Sequence, residues 1–241
     1  MKAPSSPEEI FDQFVADLKG IYGDQLISVI LYGSGATGEY VPGKSDINFL
    51  VVVGDNSIGR LERSIPLVKK WAKRRVAVPL FLTREYIESS LDAFPIEFLV
   101  MKLSHRLVYG EDILEDIPIS PSDLRLQCER ELKGKLLRLR QAFLESGGKR
   151  KELRILVSES LTAFVSIFKA LLFIRGRGVP VRREDIFADV SEEFEELDGE
   201  LFVKLLKWRQ GLYKPSEREA LELFSSYVSQ IDALAKKVDE M

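Results

Sequence analysis

The chain is poor in the residues that hold soft metals or cross-link a fold. Its 241 residues include one cysteine, Cys128, and one histidine, His105. A single thiol excludes an internal disulfide and a cysteine cluster, and a single imidazole excludes a His-rich zinc site. Any metal held here must be held by oxygen. No polybasic block is present: the net charge is −3 and the basic residues are dispersed, which leaves bulk nucleic-acid binding without support. No basic-then-apolar leader opens the chain, and the longest apolar stretch, Leu153 to Ile174, is interrupted by Ser158, Glu159, Ser160, Ser166 and Lys169. The expectation is a soluble, cytoplasmic protein in a reducing compartment, with no membrane attachment.

What remains is ordinary globular composition, 45% apolar and 30% charged, enough for a sizeable core. Ser6-Pro7-Glu8-Glu9 reads as a helix start, and Ile10, Phe14, Ala16 and Leu18 give that helix an apolar side. Leu26 to Tyr32 reads as a buried strand, Gly33 to Lys44 as a glycine-rich connection and Asp46 to Val53 as a second buried strand beside the first. A helix over Ser57 to Arg75 starts or kinks at Pro66. Val76 to Leu82 reads as a third strand, at an edge or bulge because of Pro79. Helix returns over Arg84 to Lys102 around Pro95, and Arg106 to Tyr109 is a short strand closed by Gly110.

The proline-bearing segment Ile117 to Ser122 divides the chain into residues 1–118 and 119–241. Beyond it apolar residues recur at helical spacing: Leu132, Leu136, Leu139 and Phe143; Leu153, Val157, Leu161, Phe164, Phe168 and Leu171; Leu221, Phe224, Val228, Ile231, Leu234 and Val238. A shorter helix is expected around Leu201 to Trp208. The predicted class is α+β, a small mixed sheet with helices followed by an antiparallel helical bundle.

Two phosphate motifs overlap. Gly38 to Ser45 fits the P-loop pattern G-x-x-x-x-G-K-[ST], but that pattern works only where the lysine opens a helix, and the β-branched run after Ser45 reads as strand. Gly33-Ser34 requires strand, turn and strand, which is the context present. Gly33 lets a backbone approach a phosphate and Ser34 supplies a hydroxyl. Asp46 and Asn48, two apart on a strand, point to one face, where oxygen donors could hold Mg²⁺. The competing reading is a plain hairpin with Asp46 as a turn residue.

Leu31-Tyr32-Gly33-Ser34 together with Ser45-Asp46-Ile47-Asn48-Phe49-Leu50-Val51-Val52 resembles the signature of the DNA polymerase β-like nucleotidyltransferase superfamily. Arg106 to Gly110 is similar to the strand closing the small domain in its antibiotic-modifying and minimal members, and a helical domain after it resembles the kanamycin nucleotidyltransferase arrangement, with an NTP-sized cleft between the two. The resemblance implies transfer of NMP from an NTP to a hydroxyl or amine acceptor with Mg²⁺. Nucleotide binding falls to Gly33, Ser34, Lys44 and Ser45, metal binding to Asp46 and Asn48, and catalysis to Asp46 with Glu131 as a general base at the head of the bundle. A homodimer is compatible with it, and the acceptor is unspecified.

The chain departs from that pattern in two places. The family has Asp where this chain has Asn48, and a third carboxylate on a later strand, whereas Val76 to Leu82 contains none. Each missing charge forfeits roughly 4 kcal/mol of attraction per unit charge pair at 4 Å and an effective dielectric of 20. Glu85 is a conceivable substitute, though it reads more simply as a first-turn helix acid. The alternative function is therefore an inactive homologue that binds nucleotide or a protein partner. Glu131 with Lys135, and Glu129 with Lys133, are also i,i+4 pairs of a solvated helix face, and Cys128 shares the Leu132 side, as a packing residue does. His105 has no orienting partner in a recognised pattern, so it reads as structural. The Arg, four to six residues, His pattern of helical nuclease partners is not met either, since Phe98, Leu99 and Val100 hold those positions.

Overall fold

The computed structural model describes residues 3–241. They form two compact units, one of residues up to Asp92 with Phe98–Pro118, the other of Ala93–Glu97 with Ile119–Met241.

In the first unit a 3₁₀ turn, Pro7–Ile10, leads into helix α1, Phe11–Tyr22, and Pro7 opens the turn because it has no N–H to leave unpaired. Ser6 precedes it without a side-chain capping bond. Strand β1, Leu26–Tyr32, is a run of apolar and β-branched residues. Helix α2, Ser34–Thr37, fills part of the connection, and strand β2 is Asn48–Val53. The expected strand from Asp46 is thus two residues shorter, because β1 ends at Tyr32 and its last ladder partner is Asn48. Helices α3, Ile58–Glu62, and α4, Ile65–Ala72, follow, with Pro66 in the first turn of α4. Strand β3 is only Leu80–Leu82, since the Pro79 nitrogen has no hydrogen to give a ladder, and Val76 survives as an isolated parallel bridge to Ile47. Helix α5, Arg84–Ser89, and helix α6, Pro95–Leu103, whose first three residues are assigned to the second unit, precede strand β4, His105–Gly110.

The sheet order is β3-β2-β1-β4, with β1 antiparallel to both neighbours and β2 parallel to β3. Alternation along the central strands sends Val29, Leu31, Ile47, Phe49, Val51 and Val53 into one core with Phe14, Leu18 and Tyr22 of α1 and Leu67 and Trp71 of α4. Phe14 stacks on Phe49 at 4.4 Å between ring centres and meets Trp71 edge-on at 5.4 Å. Asn48 has the opposite parity, with Leu50 and Val52, and so leaves that core for the other face of the sheet.

The second unit contains helices α7, Pro121–Ser146, α8, Arg150–Ile174, α9, Arg183–Glu193, α10, Gly199–Gln210, and α11, Glu217–Asp239. Gly147 takes φ +59 to end α7, and the tight connection makes α7 and α8 antiparallel neighbours. Sequence periodicity had no signal for α9, whose core face is only Ile186, Phe187 and Val190 amid charged residues. Phe168, Phe187 and Phe202 meet at 5.3–6.2 Å between ring centres. Buried Tyr227 closes the cluster and shares a 2.9 Å hydrogen bond with Ser160. Helix α8 has the length and apolarity to cross a membrane, yet Leu153, Val157, Leu161, Phe164 and Phe168 are buried in this bundle.

Candidate nucleotide site

The Gly33 turn is built by backbone geometry that favours glycine. Gly33 has φ 73 and ψ −151, and its carbonyl accepts the N–H groups of Ala36 at 2.9 Å and Thr37 at 3.2 Å. A Cβ on Gly33 would lie 3.4 Å from Asn48 Nδ2, so the turn and the head of β2 face each other closely. Pairing of Tyr32 with Asn48 across the ladder fixes that approach. Among the described residues the Ser34 hydroxyl and the Asn48 amide make no hydrogen bond with the protein, which leaves both free for a ligand.

The far end of the connection is a closed turn. Lys44 and Ser45 donate their N–H groups to the Val41 carbonyl at 3.0 and 2.9 Å, and the Ser45 hydroxyl accepts the Val41 N–H at 3.0 Å. No helix begins at Lys44, so the P-loop reading falls for want of the helix N-terminus it needs.

Asp46 lies just before β2, with its side chain 58% exposed, and Arg75 Nη2 stands 3.0 Å from its Oδ1. The same nitrogen donates to the Lys44 carbonyl at 2.7 Å. On the parallel neighbour of β2, Leu80, Phe81 and Leu82 pair with Leu50, Val51 and Val52, so the adjoining strand carries no acid. Glu85 sits exposed in the first turn of α5, where Thr83 caps the helix by accepting the Tyr86 N–H. No cluster of three or more His, Cys, Asp or Glu side chains suited to a metal occurs among the described residues. One arginine-paired carboxylate and one neutral amide do not fit a resident Mg²⁺, which takes near-octahedral oxygen coordination and favours anionic ligands.

Glu131 belongs to the second unit, on α7, and pairs with Lys135 at 2.9 Å, while Glu129 is held by Arg125 at 3.0 Å and Lys133 at 2.7 Å. Cys128, one residue from Glu129, is fully buried, and burial, followed by the Glu131 charge, pushes its thiol up to about 12. It is packing, since the thiolate is the nucleophile.

His105 requires a correction: it does have an orienting carboxylate. Its Nε2 lies 2.9 Å from Asp112 Oδ1, and its Nδ1 lies 3.1 and 3.0 Å from the carbonyls of Met101 and Lys102. Gly110, at φ +81, turns the chain so that Asp112 returns to β4. Both ring nitrogens lie within hydrogen-bond distance of protein oxygens, and the residue ties the end of α6 to the end of β4. The other residue that sequence reasoning missed is Arg75. The run Lys73-Arg74-Arg75 at the end of α4 reads as helix C-terminal charge, and only its backbone turn aims Arg75 at Asp46.

A family model described as nucleotidyltransferase domain matches residues 11–105. Among solved structures, spectinomycin adenyltransferase AAD(9) from Enterococcus faecialis, crystallised with ATP and spectinomycin, is 15% identical with a TM-score of 0.53, over 95% of this chain and 99% of that one. At that identity the likeness is one of fold. A toxin-antitoxin structure with AMP-PNP is 16% identical over 42% of this chain and 74% of that one, with a TM-score of 0.30, too low to carry an argument. No curated protein sequence matches. The turn at Gly33 and the head of β2 both lie inside the matched segment, so residues 11–105 are similar to a nucleotidyltransferase domain, and the chain as a whole shares the fold of the adenyltransferase.

Proposed function

We propose that the first unit binds the phosphate tail of a nucleoside triphosphate at the Gly33-Ser34 turn. The observation that carries this reading is the approach of Gly33 to Asn48, 3.4 Å from a would-be Cβ to Nδ2, where β1 gives way to α2 beside the head of β2. A side chain there would occupy the space that a phosphate needs. Ser34 and Asn48 offer an unused hydroxyl and amide as ligand donors. Lys44, at the far end of the same connection, adds a positive charge, while the Ser45 hydroxyl serves the turn itself.

The domain's family supports transfer of NMP from the bound NTP to a hydroxyl or amine acceptor as the ancestral chemistry, with Asp46 and Asn48 as its metal donors and Glu131 as a base. The pairing of Asp46 with Arg75 and the lack of an acid on β3 favour a second reading for the present chain, nucleotide binding with transfer weakened or lost. Calorimetry with ATP, GTP, CTP and UTP in Mg²⁺, beside a transfer assay with α-labelled NTP, tests both. Binding that disappears in Ser34→Ala without label transfer supports the second reading. Transfer that Asp46→Ala abolishes supports the first, and absence of binding to all four nucleotides sinks both.

A further inference from the structure

Arg75 is the one non-glycine residue with a positive φ, +66, among the described residues. That left-handed conformation strains any side-chain-bearing backbone and persists only where neighbours enforce it. They do so here on three counts. The Arg75 N–H donates to the Ala72 carbonyl at 3.1 Å, the Arg75 carbonyl accepts the Ile47 N–H at 2.8 Å, and the Ala77 N–H returns to the Ile47 carbonyl at 3.0 Å. The strained residue is thereby stitched to the one that follows Asp46. Its guanidinium spends Nη2 on Asp46 and on the Lys44 carbonyl. Its Nε is buried with no acceptor, and Nη1 has no protein acceptor among the described residues.

We propose that Arg75 takes the place of the divalent cation in this site, neutralising Asp46 and presenting Nη1 to the phosphates of a nucleotide, so that nucleotide is bound without Mg²⁺. The proposal rests on the nucleotide-binding reading above. A metal in such a site links a carboxylate to phosphate oxygens, and a guanidinium can do the same, because its five N–H donors lie in a planar fork that matches phosphate. Coordination of an attacking oxygen is beyond it, so the arrangement holds a nucleotide without activating an acceptor. A divalent ion approaching Asp46 meets the positive charge of Arg75, and Asn48, a neutral amide, adds no negative charge to attract it. The lost carboxylates and the strained arginine are then two parts of one change, from metal to guanidinium.

The test is equilibrium binding of ATP to the full chain, in EDTA and in excess Mg²⁺, for the wild type, Arg75→Gly and Arg75→Lys. Glycine accepts φ +66 without strain, so Arg75→Gly removes the guanidinium while relaxing the backbone, and a thermal melt no lower than wild type verifies its fold. The expected result is wild-type affinity that differs by less than about threefold between EDTA and Mg²⁺, and a loss of about tenfold or more in Arg75→Gly, a factor ordinary for a charge-assisted phosphate contact. Arg75→Lys, with charge but no fork, falls between. Wild-type binding that needs Mg²⁺, or Arg75→Gly binding unchanged in EDTA, overturns the role of Arg75 and leaves the nucleotide site standing. No ATP binding by the wild type in either buffer overturns the nucleotide site and this proposal with it.

Discussion

Trp71 Nε1 donates to Asp17 Oδ2 at 2.9 Å, tying α4 to α1 at the edge of the core that underlies the sheet. Lys70 and Gln13 also bond this carboxylate. Burial raises the Asp17 pKa, but these three hydrogen bonds and the Lys70 charge outweigh it, and the net shift is downward from the ordinary 3.8. A carboxyl depressed in the folded state stabilises the protein above its unfolded value, and that contribution drains away as pH falls below 3.8 through the folded value. Asp17→Asn should therefore cost about 1 kcal/mol at pH 7. Urea unfolding at pH 7 and at successively lower pH checks this, with the gap between the two proteins narrowing as pH falls below 3.8.

Gly33→Ala tests the turn. At φ 73 and ψ −151 the backbone lies in a region almost closed to other residues, at a cost on the order of 1–3 kcal/mol. The new methyl would also come into contact with Asn48 Nδ2, at 3.4 Å. The expected outcome is a lowered thermal midpoint with ATP affinity reduced beyond what Ser34→Ala causes, since the methyl intrudes where the hydroxyl is merely lost.

Cys128 should be inert in the folded protein. With its thiol pushed up to about 12, the thiolate fraction at pH 8 is on the order of 10⁻⁴, and the side chain is buried besides. Iodoacetamide at pH 8 should leave native protein unmodified over hours and label it in urea at the rate of a free thiol. Rapid native labelling would place Cys128 in an opening segment of α7.

Much of this architecture was legible because it rests on local chemistry. The seven-residue apolar run Leu26–Tyr32 is a strand by composition and burial alike, and α8 follows its apolar period from Leu153 to Leu171. What escaped depends on where backbone turns send the chain. Helix α2, Ser-Gly-Ala-Thr, is too short to show a period, and α9 hides three core residues among charges. At the site, Gly33, Ser34, Asp46 and Asn48 were readable as a motif. Asp112 against His105 and Arg75 against Asp46 were not, because one pairing needs Gly110 at φ +81 and the other needs an arginine at φ +66, conformations that no propensity assigns.

Restoring the acid at position 48 separates charge from catalysis. Asn48→Asp replaces a neutral oxygen donor beside Asp46 with an anionic one, which favours a hard divalent ion. With Arg75 still 3.0 Å from Asp46, the gain is opposed by a resident positive charge. Asp46 is largely exposed, so solvent screens both effects. Asn48→Asp alone should tighten Mg²⁺ binding by a few-fold, roughly 0.5–1 kcal/mol, and Asn48→Asp with Arg75→Gly by more than the sum of the separate changes, about tenfold or ~1.4 kcal/mol. Calorimetric Mg²⁺ titration of the four proteins measures the coupling directly. Transfer of labelled NMP should stay undetectable in all four, because β3 still contributes no carboxylate. If the double variant transfers label, an acid elsewhere in the chain, such as Glu85 or Glu131, reaches the metal, and the weakness of the natural site lies at positions 48 and 75 alone.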